Sequence, residues 1–336
     1  MQKKNKVTMG DIARVAGVSQ ATVSLVLNNS RTIRLSDATR ERVFAAAKTL
    51  GYQRLAVAHR PEGQEEMAML IGAMPGYDPF GDALNVASAT AWQQDTLLSV
   101  YDYGEDVELA RHILRQLEKR GCAGVIFASP VTRPFDFSPF ESLVNMPVVL
   151  LNQYDPKRPL LPTFLPDDCA NACQVTQHLL DQGVTRIAHI SGDEWMDASS
   201  QRLEGYYQTL RHAGIAPDAA LVHKTDWSLN ATFAATMELM ALPEPPQAIF
   251  CASDWMTLGC YQALSQLGKK IPDDVLVCGY DDQRISHQLT PMLTSVQLAY
   301  SELGRMAVEY LCAGEDAATH IKLVGKLQIR ASSQRT

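Results

Sequence analysis

Residues 17–29 read GVSQATVSLVLNN, from Gly17 through Ser19, Val23 and Leu25 to Asn29. A tight turn over 17–19 leads into a short helix that Ser19 can cap. At about 100° per residue, Val23, Val26 and Leu27 fall on one side and suit burial. Ala21, Ser24, Leu25 and Asn28 fall on the other. Small and apolar residues on a free helix face are out of place in water. They make sense if that face meets another molecule.

The pattern extends to three helices over 8–51. Thr8 and Asp11 have the spacing of a capping box, and Ile12, Ala13 and Ala16 form an apolar stripe that Gly17 ends. Ser36 can cap a third helix, in which Val43, Ala46, Ala47 and Leu50 recur at i, i+3, i+4 and i+7 before Gly51. Two short helices joined by a Gly-containing turn, with a third in support, is the plan of a helix-turn-helix, whose second helix enters the major groove. Gln20 can then read base edges, and Ser24 and Asn28 can bond bases or phosphates. Ala21 or Leu25 can touch a thymine methyl. A plain helical hairpin with a stray surface leucine is the alternative. Charge supports the DNA reading: residues 1–60 hold eleven Lys/Arg and three acids, a net of +8 in a chain of −7, leaving −15 on the remainder. A basic head on an acidic body points to a polyanion partner for the head.

The run VTMGDIARVAGVSQATVSLVLNN, followed by TRERVFAAAKTLGY, closely resembles the DNA-binding head of the lactose/galactose repressor family (LacI/GalR). Val-Thr, Asp-Ile-Ala, Ala-Gly-Val-Ser, Thr-Val-Ser and Leu-Gly-Tyr stand in the family's order and spacing, and the resemblance continues over nearly the whole chain. It implies that Gln20, Ala21 and Leu25 choose the operator sequence, with Thr8, Ser19, Thr22, Ser24 and Asn28 also at the DNA. Many members carry Arg where Leu25 stands. Arg reads a guanine bidentately and Leu cannot, so the operator is expected to differ at that base pair. The family also has a hinge helix after Leu-Gly-Tyr, with Pro-Asn near its start and a Leu wedge for the minor groove. Here Arg54-Leu55 replaces Pro-Asn, His59 replaces Arg, and Pro61 sits at the wedge position. Arg54 and Leu55 are retained as DNA candidates, but Pro61 disfavours helix at Arg60. Either this segment is a plain linker or Pro61, Leu55 or Val57 acts as the wedge.

From Met67 the rhythm changes. Apolar runs at 68–74, 98–101, 124–128, 148–152, 186–191, 248–252, 275–279 and 293–298 alternate with amphipathic stretches at 107–120, 169–182, 200–213, 229–240 and 256–267. Such runs argue a parallel sheet covered on both faces, and their extent suits two lobes. The expected fold is an N-terminal all-α helix-turn-helix head plus an α/β two-lobed domain like the type I periplasmic binding proteins. The expected divisions are a DNA-binding domain at 7–52, a hinge or linker at 53–66, and a ligand-binding and dimerisation domain at 67–336. Lobe 1 takes about 67–164 and 298–325, and lobe 2 about 165–297 and 326–336.

Ligands of such sheets lie beyond the strand C-termini. Tyr77, Asp78 and Phe80 follow the first run, Asn152 ends the fourth, and Arg202 sits in RLEGY. Trp227 sits in TDWS, Ser253 and Asp254 follow AIFCA, and Asp281 follows VCGY. A Trp face packs on sugar C–H groups, Asp281 can accept hydroxyl protons, and Arg202 can donate in a fork. The effector set is Tyr77, Asp78, Phe80, Asn152, Arg202, Trp227, Ser253 and Asp281. Asp254 is expected to cap a helix instead. His178 and His189 read as packed histidines. Sugar-binding members often carry Asp at 152 and Asn at 253, so the resemblance does not transfer a particular ligand.

The seven cysteines are odd in number and mostly in apolar runs, which suits a reducing cytoplasm. Cys169 and Cys173 could share a helix face, but nothing completes a metal set. Neither metal nor cofactor is expected. No membrane span or secretory signal is read, and the C-terminus has no leucine heptads, so a dimer rather than a tetramer is expected. The leading reading is a cytoplasmic homodimeric repressor on a pseudo-palindromic double-stranded operator, switched by a sugar-like effector. The alternatives are a nucleobase-type corepressor, a solute-binding protein for transport, and an enzyme acting on sugars or nucleotides. No phosphate loop or hydrolase motif supports the last.

Overall fold

A computed structural model describes residues 9–27, 36–49, 65–72, 79–314 and 318–334. The chain divides into two compact units, 1–62 and 63–336. The first contains α1 (Met9–Ala16), α2 (Gln20–Leu27) and α3 (Asp37–Thr49). Ile12, Ala16, Val23, Val26, Val43 and Ala46 are buried together as its core. Ser19 caps α2 by accepting from Thr22 N at 3.1 Å, and Ser36 caps α3 by accepting from Thr39 N at 3.3 Å. Gly17 turns the chain between α1 and α2 at φ +65°, a conformation that suits glycine. Asp11 pairs with Arg14 at 3.1 Å. Its capping partner Thr8, with Leu50, Gly51 and the hinge at 53–64, lies outside the described residues.

The second unit begins with β1 (Glu65–Ile71), α4 (Gly81–Gln93), β2 (Thr96–Asp102), α5 (Val107–Arg120), β3 (Gly124–Pro134), β4 (Val148–Tyr154) and β5 (Thr163–Pro166). It continues with α6 (Asp168–Asp181), β6 (Ile187–Ser191), α7 (Asp197–His212), β7 (Val222–Lys224), α8 (Leu229–Met240), β8 (Ala248–Cys251), α9 (Asp254–Gln266) and β9 (Leu276–Cys278). It ends with β10 (Ser295–Gln297), α10 (Tyr300–Ala313), β11 (His320–Leu323) and β12 (Lys326–Gln328). Among the described residues one parallel sheet runs β11-β5-β4-β3-β1-β2 and a second runs β7-β6-β8-β9. An antiparallel pair, β10-β12, lies beside the second sheet through the bridge Cys278–Thr294.

The chain therefore passes between the sheets three times: from β5 into α6, from β10 into α10, and from β11 into β12. This is the two-lobed α/β body expected from the alternation of apolar runs. The strands missing from that reading, β5, β7, β11 and β12, are three or four residues long. β11 also shows only half-buried apolar positions between exposed ones. Runs that short have no periodicity to distinguish them from loops.

Both histidines set aside in the sequence are packed. His178 shares a hydrogen bond with Ser333 Oγ at 2.7 Å. His189 stands in the middle of β6, fully buried, with Nδ1 donating to the carbonyl of Phe250 at 3.0 Å and the ring against Phe250 and Tyr206. Burial pushes its pKa down from 6.5 to about 4. A histidine held neutral in the fold gives its full stability above the unfolded value. That stability drains as pH falls from about 6.5 to about 4, a loss of ~3 kcal/mol by linkage. Denaturant midpoints measured across that window should fall steeply for the natural chain. His189→Gln, which keeps a donor toward Phe250, should flatten the slope. Equal slopes would contradict the assignment.

Candidate effector cleft

The C-terminal ends of both parallel sheets point into one cavity of about 300 Å³. Lobe 1 supplies Pro79, the 130–132 segment of β3, and Tyr300 at the start of α10. Lobe 2 supplies Asp193, Arg202, Asp226, Trp227, Ser253, Trp255 and Asp281 among others. Of the sequence-derived set, Arg202, Trp227, Ser253 and Asp281 are on its wall.

Arg202 is 5% exposed, so its charge is answered inside the protein. Its Nε donates to Asp168 Oδ1 at 2.9 Å, its NH1 donates to the carbonyl of Ala252, and its NH1 lies 3.5 Å from Asp281 Oδ1. The guanidinium also stacks 3.6 Å from the centre of the Tyr280 ring and 5.8 Å from that of Trp227. Burial alone would lower its pKa, but Asp168, with Tyr280 and Asp281, more than offsets this and holds it charged above its usual value. Asp168 opens α6, fully buried, and also accepts from Tyr280 O–H at 2.8 Å.

Asn152, Trp227 and Asp281 all have left-handed backbone, at φ +56°, +66° and +102°. Strained backbone of this kind concentrates at functional sites. Trp227 lies flat over Gly192, just past β6: a Cβ there would stand 1.9 Å from ring atom Cε2. Only glycine leaves room for the indole, whose Nε1 is buried without a partner among the described residues.

Several expectations are corrected. Phe80 is fully buried rather than on the wall, with its ring edge-on to Tyr300 at 5.3 Å. It is the residue just before α4, and the helix start turns it into the lobe 1 core. Asn152 is also fully buried, behind the wall. Its Nδ2 donates to the Ser129 carbonyl at 2.9 Å and to Tyr300 OH at 3.1 Å, and its Oδ1 accepts from Thr132 Oγ1 at 2.8 Å. Ser253, not Asp254, caps α9, accepting from Met256 N at 3.3 Å. Asp254 is turned inward to accept from Ser295 Oγ at 2.6 Å and Gln283 N at 2.7 Å. Burial, with Asp281 nearby, pushes its pKa well above the usual carboxylate range. Tyr77 and Asp78 lie outside the described residues.

Asp168, Thr132, Tyr280, Trp255 and Tyr300 escaped the sequence reading. Asp168 begins a helix next to Asp167, which is the cap, and nothing in its spacing marks it as a site residue. Thr132 follows an apolar run by four residues, too far to be singled out. Its hydroxyl lies 2.8 Å from Asn152 Oδ1 and 3.2 Å from Asp168 Oδ2, two acceptors in different lobes for a single proton. Tyr154 OH makes a second bond across the lobes, to Asp197 Oδ2 at 2.5 Å. That bond, with burial, raises the phenol to about 12.

In the head, Ser19 and Gln20 are exposed, and the Thr22 hydroxyl lies 2.8 Å from that of Ser19. Ala21, Ser24 and Leu25 are on α2, but their side chains lie outside what is described, as do Thr8, Asn28, Arg54 and Leu55 altogether. Cys173 Sγ meets the Gly205 carbonyl at 3.4 Å, a packing contact. Among the described residues no three His, Cys, Asp or Glu converge as metal ligands, and no helix is long and apolar enough to cross a membrane.

The Gly192 contact makes a direct prediction. Gly192→Ala should displace the Trp227 indole, shift tryptophan emission to the red, and cost about 1–3 kcal/mol in urea denaturation. Unchanged emission and stability would show that the ring does not lie over Gly192.

Comparison with known proteins fits this architecture. Residues 8–54 match the family described as "Bacterial regulatory proteins, lacI family", and residues 176–333 match "Periplasmic binding protein-like domain". The chain is 31% identical over 308 residues to the HTH-type transcriptional repressor CytR of Escherichia coli (strain K12), covering 91% of this chain and 89% of that one. It is 33% identical over 313 residues to the ribose operon repressor of the same organism, covering 90% and 92%. A solved complex of the transcriptional regulator CelR with cellobiose matches with a TM-score of 0.68 at 26% identity, covering 97% of this chain and 99% of that one. The enzyme reading gives way: the chain belongs to the lacI family of bacterial regulatory proteins and is a DNA-binding transcriptional repressor.

Proposed function

We propose that this repressor responds to a small hydroxylated effector of the carbohydrate class, controls genes for carbohydrate uptake or catabolism, and binds a pseudo-palindromic operator as a cytoplasmic homodimer. The observation that carries the effector reading is the cavity between the sheets, where the Trp227 ring adjoins the Arg202–Asp281 pair. A ring face for C–H groups beside a fork of donors and a carboxylate is what a polyol needs. Effector bound there favours one lobe orientation and so changes operator affinity, which requires only unequal affinity for the two states. We assign the DNA-reading head to 7–52, the connection to 53–66 and the effector body to 67–336. Lobe 1 takes 67–164 with 298–325, and lobe 2 takes 165–297 with 326–336. A nucleobase-type corepressor is the second reading, because Trp255 and Tyr300 bring two more aromatic rings to the cavity.

A thermal-shift screen of sugars, sugar phosphates and nucleobases separates the two. Stabilisation by at least one sugar is expected, and a nucleobase hit without a sugar hit would sink the carbohydrate reading. Trp227→Ala should abolish the ligand shift while ligand-free operator binding persists. Loss of operator binding in that variant would make Trp227 a packing residue.

For the head, Leu25 carries the operator proposal. Selection from random operators should show no guanine requirement at the base pair facing position 25. Leu25→Arg should create one worth about 1–3 kcal/mol. A strict guanine requirement in the natural protein would overturn it.

A further inference from the structure

The outer strand of the first sheet is β11, and among the described residues β5 is the strand it pairs with. The Thr319 and Leu323 carbonyls accept from Thr163 N at 2.7 Å and Asp167 N at 2.8 Å. Alternate residues of a strand in a parallel ladder turn their backbone groups the same way. Residues 319, 321 and 323 therefore face β5, and His320 and Lys322 turn their N–H and C=O groups to the free side. On the inner side α6 takes over where β5 ends: Gly325 N donates to Asn171 Oδ1 at 2.7 Å, and Gln174 Nε2 donates to the Gly325 carbonyl at 3.1 Å. Among the described residues no group bonds the outward N–H and C=O of His320 and Lys322. The side chains of His320, Lys322, Val324 and Lys326 are exposed, while Ile321 and Leu323 are half-buried against the lobe 1 core. Charge is concentrated here as well. Residues 318–334 hold Lys322, Lys326 and Arg330 and no acid, although residues 61–336 together carry −15. Arg330 is paired with Asp282, but neither lysine makes an ion pair among the described residues.

We propose that the free edge of β11 docks an extended acidic segment of a partner protein by strand addition. Main-chain bonds to His320 and Lys322 hold the added strand, and its side chains supply the selectivity. Successive side chains of a strand point to opposite faces. On the exposed face the partner carries Asp or Glu beside Lys322 and Lys326, since opposite charges on neighbouring strands attract. On the other face it carries apolar residues, which extend the cover over Ile321 and Leu323. The recognised segment thus alternates acidic and apolar residues. Charge also decides against a second copy of this chain. Two β11 edges would set lysine against lysine, and edge lysines are a device against pairing of like edges. An acidic strand turns the same lysines into attractors. None of these residues lines the cavity beside Trp227, and the proposal is independent of the effector reading.

The test is fluorescence anisotropy on the full chain with short labelled peptides. A peptide alternating glutamate and valine should bind at least about tenfold tighter than one alternating lysine and valine. Methylating every backbone nitrogen of the glutamate–valine peptide keeps its charge and removes its donors, and should cost at least about tenfold. Lys322→Glu should weaken the glutamate–valine peptide by about threefold or more and let the lysine–valine peptide bind. Lys322→Gln, which removes the charge without reversing it, should weaken the glutamate–valine peptide by a smaller factor. An unchanged urea midpoint checks that both variants are folded. Binding that survives methylation would rest on charge alone. Binding that survives Lys322→Glu would lie elsewhere, with the basic head as the obvious place. Either result overturns strand addition at β11, and so does failure of the glutamate–valine peptide to bind.

Discussion

A guanidinium removed from water must have its charge met within hydrogen-bond reach, and the cleft is built around meeting that of Arg202. Asp168 supplies the carboxylate, the Ala252 carbonyl and Asp281 supply further acceptors, and the Tyr280 face supplies a cation–π contact. These partners come from three separate elements, the start of α6, the residue just after β8 and the segment after β9, and they meet Arg202 on a fourth, α7. Each is therefore fixed in position by a single side chain. A buried pair of this kind adds little net stability over an apolar pair, but removing one partner is expensive. Its value here is geometric, since it leaves Arg202 aimed at the cavity without freedom to wander.

The same constraint links the lobes. Asp168 takes the Arg202 and Tyr280 donors on Oδ1, leaving Oδ2 toward Thr132 in lobe 1. The Thr132 hydroxyl stands between that oxygen and Asn152 of its own lobe, and is closer to Asn152. The Thr132 hydroxyl is thus a polar contact between the two lobes at the cleft, within hydrogen-bond distance of an acceptor on each side.

Much of this was legible in the sequence. Helix caps, the stripes of the head and the longer strands depend on spacing, and spacing is visible in a string of residues. Arg202, Trp227 and Asp281 were visible because they follow strands or match the family pattern. Phe80 and Asn152 were misplaced because a position at a strand or helix end says little about the direction of the side chain. One turns into the lobe 1 core, and the other, with left-handed backbone, turns behind the wall. Asp168 was invisible for a different reason. A carboxylate at a helix start ordinarily serves as a cap, and only the tertiary contact with Arg202, 34 positions away, reveals its other use.

The most direct test of the Arg202–Asp168 pair as organiser of the cleft is a double-mutant cycle in urea denaturation of the full chain. Asp168→Asn and Arg202→Gln should each destabilise by about 3–5 kcal/mol, because each strands a buried partner. The double variant, with a neutral amide at both positions, should be no less stable than the worse single. Losses that simply add would show that the two residues act independently, and would contradict the account.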